Sequence, residues 1–248
     1  MRLQKPLISA LLLSTVEVST FGQGSIIIQH SGSANPTAEG FSFASDGTAS
    51  VGASGTNAWN TTIGSAHTLD YSYSLTPQQQ NETFGTDWIL SFTLQSLESG
   101  GAPNAFVGLN SSPVIYIGSE ANGDPFVDGT PSNPVFVLNG GGDGYHNYQL
   151  IYTTTTGDVA LWIDGTEQIS DLFSGPATGI SEVEFGESQG GPASDNWSLV
   201  SFGVVPEPSS LALIFLGSGV SIYVRTRNKK LSTPFKLLTE QRINTLNQ

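Results

Sequence analysis

The chain has 248 residues, a formal net charge of −13, 38% hydrophobic residues and no cysteine. That composition excludes a disulfide framework and any thiolate metal site, so the fold has to rest on its buried core. All eight Lys and Arg lie at the two ends, at Arg2, Lys5, Arg225, Arg227, Lys229, Lys230, Lys236 and Arg242, which leaves residues 6–224 without a fixed positive charge.

In chain order, Arg2 and Lys5 precede an apolar stretch from Leu7 to Val16 and then small or polar residues through Gly24. A short positive region, an apolar region and small residues near the cut are the three parts of a secretory signal peptide. The expected leader is a helix within residues 1–23, cleaved after Gly22 or Gln23.

Residues 24–204 then form one domain, because about 180 residues are enough for a single real core and few for two. Of the 21 acids, Glu17, Glu207 and Glu240 lie outside this stretch, leaving 18 inside it with no Lys or Arg. Such a surface repels phosphates and bare anionic lipid, which excludes nucleic acid as a partner, and it attracts divalent cations.

Short alternating apolar runs separated by Gly, Asn, Ser and Thr predict strands rather than helices throughout this domain. The runs are Ser25–His30, Thr68–Leu75, Asp87–Leu97, Ala105–Leu109, Val114–Gly118, Pro134–Leu138, His146–Thr153, Asp158–Ile163, Ile180–Phe185 and Asn196–Val204. The expected fold is all-β, an antiparallel β-sandwich of two sheets with jelly-roll connections. In one hairpin Tyr148, Leu150 and Tyr152 share a face, Thr153–Gly157 turns, Asp158–Asp164 returns, and Asp164-Gly165 marks a tight turn before Thr166–Ile169. This hairpin, with Trp162-Ile163-Asp164-Gly165 at its end, resembles those of laminin-G-like and concanavalin-like sandwiches, a resemblance that spans roughly residues 85–204 and implies the concanavalin-like jelly roll.

Three sets of residues carry candidate chemistry. Glu182 and Glu184 share a strand face in Glu182-Val183-Glu184-Phe185-Gly186-Glu187, and a bulge at Gly186 would bring Glu187 to join them. Carboxylates so placed supply a nucleophile and a general acid for glycosidic cleavage. The run resembles the Glu-x-Asp-x-x-Glu motif of concanavalin-like glycoside hydrolases, with Glu in place of the middle Asp; the alternative is a strand with Val183 and Phe185 inward and its acids in water. The loops Gly118–Gly129 and Asn139–Gly144 offer Asp124, Asp128 and Asp143 as oxygen ligands for calcium, or as solvated turns. Among the aromatic residues, Trp88 shares a face with Leu90, Phe92 and Leu94 and is assigned to the core, whereas Trp59 and Tyr145 lie beside loops and are the candidates for stacking on sugar rings. His30, His67 and His146 show no metal-ligand spacing, and the sequence contains no phosphate loop or nucleophile triad pattern.

The C-terminal part runs Val205-Pro206-Glu207-Pro208-Ser209-Ser210, then an apolar stretch Leu211–Val224, then Arg225, Arg227, Lys229 and Lys230. Two prolines a residue apart end the preceding domain and let a helix begin near Pro208. That helix is somewhat short of the roughly 20 residues of a full membrane span, with basic residues at its end to hold the tail on the cytoplasmic side. The arrangement closely resembles the PEP-CTERM sorting signal of exported bacterial proteins. The resemblance implies recognition of Pro206, Glu207 and Pro208 by an exosortase-type membrane protease, a transient transmembrane helix with its stop at the basic cluster, and delivery to the cell surface or extracellular matrix. Residues 205–230 form this signal, and residues 231–248 form a tail longer than the family usually carries.

The first functional expectation is therefore an exported, non-enzymatic surface or matrix protein with a candidate glycan-binding face for extracellular polysaccharide. A glycoside hydrolase or lyase acting on exopolysaccharide and a purely structural matrix module are the alternatives.

Overall fold

A computed structural model describes residues 25–205, apart from 56, 65–66, 99–103, 111–112, 129–133, 175–178 and 189–191. The predicted signal peptide, the Pro206-Glu207-Pro208 motif, the predicted membrane helix, its basic stop and the tail lie outside the described residues. Among the described residues no helix is long and apolar enough to cross a membrane.

The first strands are β1 (Ser25–Ser31), β2 (Ser42–Ser45), β3 (Ala49–Ser54), β4 (Ala58–Ile63) and β5 (Leu69–Ser74), and a short helix α1 (Pro77–Thr83) follows. Then come β6 (Trp88–Ser96), β7 (Ala105–Leu109), β8 (Val114–Ser119), β9 (Pro125–Asp128), β10 (Pro134–Val137), β11 (His146–Thr153), β12 (Asp158–Ile163), β13 (Thr166–Ser174), β14 (Glu182–Glu187) and β15 (Ala193–Val204). They build two antiparallel sheets, one ordered β13-β12-β11-β6-β15-β4-β3 with β1 also on β15, the other β10-β9-β8-β7-β14-β5-β2. The expectation of an all-β antiparallel sandwich is met.

Strand β6 shows why the sheets face each other. Trp88, Leu90, Phe92 and Leu94 are buried while Ile89, Ser91, Thr93 and Gln95 point outward, the two-residue alternation of a strand with one wet face. On the other sheet β14 buries Val183 and Phe185. The core closes through aromatic contacts between the sheets, with Phe185 against Trp197 at 5.0 Å between ring centroids, and stacked pairs Phe92–Tyr148 and Trp88–Tyr152 on the first sheet. A β-bulge between Trp197 and Leu199 lets β15 change neighbours, from β4 up to Trp197 to β1 from Leu199 onward.

Helix α1 has no sequence period and depends on its cap. Thr76 and Gln79 form a reciprocal capping box, and Pro77 opens the first turn.

Candidate functional site

At one end of the sandwich, where β6 and β8 finish and β11 starts, the sheets part around a cleft of about 300 Å³. Gln95, Ser96, Leu97 and Glu98 line it from the end of β6, Ser119, Ala121, Asn122 and Gly123 from the turn between β8 and β9, and Asp143 from the loop before β11. The lining presents amide, hydroxyl and carboxylate groups beside Leu97 and Ala121, and none of its side chains is basic.

The walls are fixed by one carboxylate. Asp124 accepts the backbone N–H of Gly140 at 2.9 Å and of Gly142 at 3.1 Å, together with the side-chain amide of Asn122 at 2.9 Å. The two backbone donors hold the Asp124 carboxyl below its ordinary value. Gly140 and Gly142 sit at φ 78° and 74°, where a side chain is strained, which accounts for the glycine run. From the opposite wall the Gln95 amide donates to the carbonyl of Asp143 at 2.9 Å. Tyr145, two residues after Asp143 of the lining, is 46% exposed. Asn196 donates to Gln95 at 3.4 Å and accepts from Asn60 at 3.1 Å.

Beneath the cleft lies a buried pair of acids. Ser96 is opposite Asp195 in the ladder. Asp195 is paired with Glu187 of the other sheet, and both are essentially without solvent contact. The Thr61 hydroxyl donates to Glu187 Oε1 and accepts the Trp197 indole N–H at 2.9 Å. No N–H or hydroxyl reaches Glu187 Oε2 or Asp195 Oδ1. Two carboxylates in a dry interior cannot both stay ionised, and one proton between them satisfies both oxygens. Burial, and then the Asp195 charge, push Glu187 well above the ordinary range. Burial raises Asp195 to about 6.

The three glutamates predicted to converge do not. Pairing of β14 with β5 is unbroken from Glu182 to Glu187, so no bulge forms at Gly186 and Glu187 keeps the inward parity of Val183 and Phe185. Glu182 and Glu184 face outward, and the third acid on that face is Asp70 of β5, opposite Gly186. Burial, followed by the charges of Glu184 and Glu182, raises Asp70 to about 7.

The remaining sequence candidates separate in space. Trp59 is a correction: it is only 8% exposed and its indole N–H donates to the Tyr71 hydroxyl at 3.0 Å, because β4 has already begun at Ala58. The expected Gly118–Gly129 loop is largely hairpin, with Asp128 buried on β9 and Asp124 committed to backbone donors, while Asp143 is exposed at the cleft. Among the described residues no three His, Asp or Glu side chains converge as a metal site. Sequence reasoning passed over Asp195, Thr61 and Asp70. The signal for the first was present, since Asp195 stands between Ala193 and Trp197 on the inward face of a strand, a position where an acid needs a partner.

No family model matches the sequence, and no curated protein matches it. Among solved structures, a carbohydrate esterase from the Shiga toxin-encoding bacteriophage phi24B superposes with a TM-score of 0.53 at 13% identity, over 74% of this chain and 100% of that one. The binding domain of botulinum neurotoxin DC gives 0.48 at 10% identity, over 78% of this chain and 51% of that one. The T. cruzi calreticulin globular domain gives 0.47 at 10% identity, over 84% and 98%. The phage protein carries the fold assignment, an antiparallel β-sandwich; at these identities the likeness is one of fold.

Proposed function

We propose that the chain is an exported cell-surface or extracellular-matrix protein whose domain, a sandwich of the concanavalin-like jelly-roll class, captures polysaccharide without cleaving it. The observation that carries the binding reading is the end cleft: amides, hydroxyls and carboxylates converge there, and the exposed ring of Tyr145 follows two residues after Asp143 of its lining. Sugars are recognised by that combination of fixed hydrogen-bonding groups with an apolar ring face. With 18 acids and no Lys or Arg in residues 24–204, the ligand is neutral or cationic rather than anionic.

The sorting reading rests on Pro206-Glu207-Pro208, the apolar stretch and the basic cluster, in that order. An exosortase-type protease is the proposed partner, with a membrane-anchored intermediate before release to the surface. Replacing Pro206, Glu207 and Pro208 together by alanine is expected to hold the protein in the membrane fraction of a host with such a protease. Unchanged release to the surface would exclude the motif as the recognised sequence.

A glycan array on the full-length protein tests the cleft. Saturable binding to a neutral polysaccharide is expected, with Tyr145→Ala weakening it roughly tenfold, about the loss of one ring contact. No binding at all would leave the structural matrix module. The second reading, a glycan-cleaving enzyme, is favoured by one observation: Asp70, pushed to about 7, is protonated near neutral pH beside Glu184 and Glu182, as a general acid beside ionised carboxylates would be. Product release from the same arrays, abolished by Asp70→Asn, would replace capture by cleavage.

A further inference from the structure

We propose that the end of the sandwich holds a divalent cation, calcium in size and chemistry, between the two sheets, ligated by Glu187, Asp195 and Asn104.

The starting point is an unbalanced set of oxygens. Glu187 Oε2, Asp195 Oδ1 and Asn104 Oδ1 are all buried and none receives an N–H or hydroxyl. Their residues are 0%, 2% and 5% exposed. They come from three strand ends that meet: Glu187 ends β14, Asp195 stands near the start of β15, and Asn104 precedes β7, whose Ala105 is opposite Glu187. Asn104 bridges the sheets itself. Its backbone carbonyl accepts Ser188 N–H at 2.7 Å, and its amide donates to the Pro192 carbonyl at 3.3 Å, three residues before Asp195. That bond uses one of the amide's two hydrogens, and the buried amide oxygen receives no donor.

A proton shared by the two carboxyls relieves only part of this. It leaves one negative charge in the interior, and it does nothing for Asn104 Oδ1, because the pair then has no second hydrogen to give. The groups around the pair offer no counter-charge. On the β6 side stand Ser96 and Glu98, the latter adding negative charge. On the β4 side is Thr61. On the β1 side His30 stacks on Phe185, is held by Glu39 at 2.5 Å and is pushed down chiefly by burial. Residues 6–224 contain no Lys or Arg.

A hard divalent cation answers all three oxygens together. Calcium prefers carboxylate and amide oxygens and accepts irregular arrangements, whereas magnesium demands a near-ideal octahedron and gives up its waters reluctantly. The hydroxyl of Thr61, which already bonds Glu187, and that of Ser96, opposite Asp195 in the ladder, are placed to complete the shell. The ion would then close the end of the sandwich beneath the cleft, tying β14 and β7 of one sheet to β15 of the other.

Full-length protein stripped with a calcium chelator is compared with the same protein titrated with calcium. We expect Tm to rise by roughly 5–10 °C at about a hundredfold excess over Kd, with magnesium giving much less. Terbium(III), which substitutes for calcium, should show emission sensitised by Trp197, the indole bonded to Thr61. Asp195→Asn and Glu187→Gln each keep the side-chain shape and lose the calcium shift and the terbium signal. Asp143→Asn at the exposed cleft keeps both. The proposal is overturned if the wild type shows neither response, or if Asp195→Asn, shown folded by near-ultraviolet circular dichroism, retains them. Loss in Asp143→Asn alone would also overturn it by moving the ion to the surface loop.

Discussion

Gly186→Ala is expected to destabilise the domain severely, by several kcal/mol. A Cβ at this position would lie 2.0 Å from the carbonyl oxygen of Leu69 and 3.2 Å from Asp70 Cα, both backbone atoms of the neighbouring strand. Neither can swing away as a side-chain tip could, so β14 and β5 would have to separate. Strand β14 is central to its sheet, hydrogen-bonded on one side to β5 and on the other to β7, and it places Phe185 against Trp197 across the core. The cost is on the order of 3–5 kcal/mol or more, against a total stability of about 5–15 kcal/mol. Gly52→Ala is the control, since nothing lies within 4 Å of its Cβ and β3 is an edge strand. Urea unfolding of the three proteins decides it: Gly52→Ala should stay within about 0.5 kcal/mol of wild type. A Gly186→Ala protein equally stable would mean that the two strands are not this close.

The sequence showed a close approach at Gly186 only as ambiguity. A glycine inside a strand pattern signals either a bulge or a neighbouring backbone that tolerates no side chain. The bulge reading made the three glutamates converge; the close-approach reading, which the pairing supports, sends Glu187 into the core. Strands with full alternation, such as β6 and β11, were legible because half their residues had to face an apolar interior. Strand β4 was hidden by Thr61, a polar residue on the inward face whose reason is a carboxyl far along the chain. Strands β2 and β3 bury almost nothing and exist by backbone pairing to β5 and β4, which no local pattern records. Strand β9 sat inside a stretch of Gly and Asp that composition assigned to a loop, because Asp124 satisfies backbone donors sixteen and eighteen residues ahead. Helix α1 has seven residues and no apolar stripe, so its capping box was the single local cue. The cleft itself is assembled from three separate chain segments, and of its lining residues only Asp143 had been singled out by number in advance.

Stripped of metal, the protein should be most stable in mild acid and lose stability steadily toward pH 8, the reverse of most domains. Asp195, raised to about 6, Asp70, raised to about 7, and Glu187, raised further by burial, all bind protons more tightly in the folded chain than in the unfolded one. Unfolded carboxyls titrate near 4. Between about pH 4 and these folded values, unfolding therefore releases protons, and each rise in pH favours the unfolded chain. His30 works the other way, because its folded value is lowered, but it is one group against three. Asp195 by itself accounts for a loss on the order of 3 kcal/mol, and Asp70, partly exposed, for less than its shift alone would give. The charges that face these groups are Glu98 toward Asp195, and Glu182 and Glu184 toward Asp70, all of the sign that deepens the fall. Urea unfolding in chelator at pH 5, 6, 7 and 8 should show the midpoint falling throughout. Asp195→Asn removes its own titration and the charge that raises Glu187, so its profile should be much flatter, and Asp70→Asn should remove the part of the slope nearest neutrality. A wild-type midpoint that rises from pH 5 to 8 would mean that the two carboxyls do not share a dry interior at all.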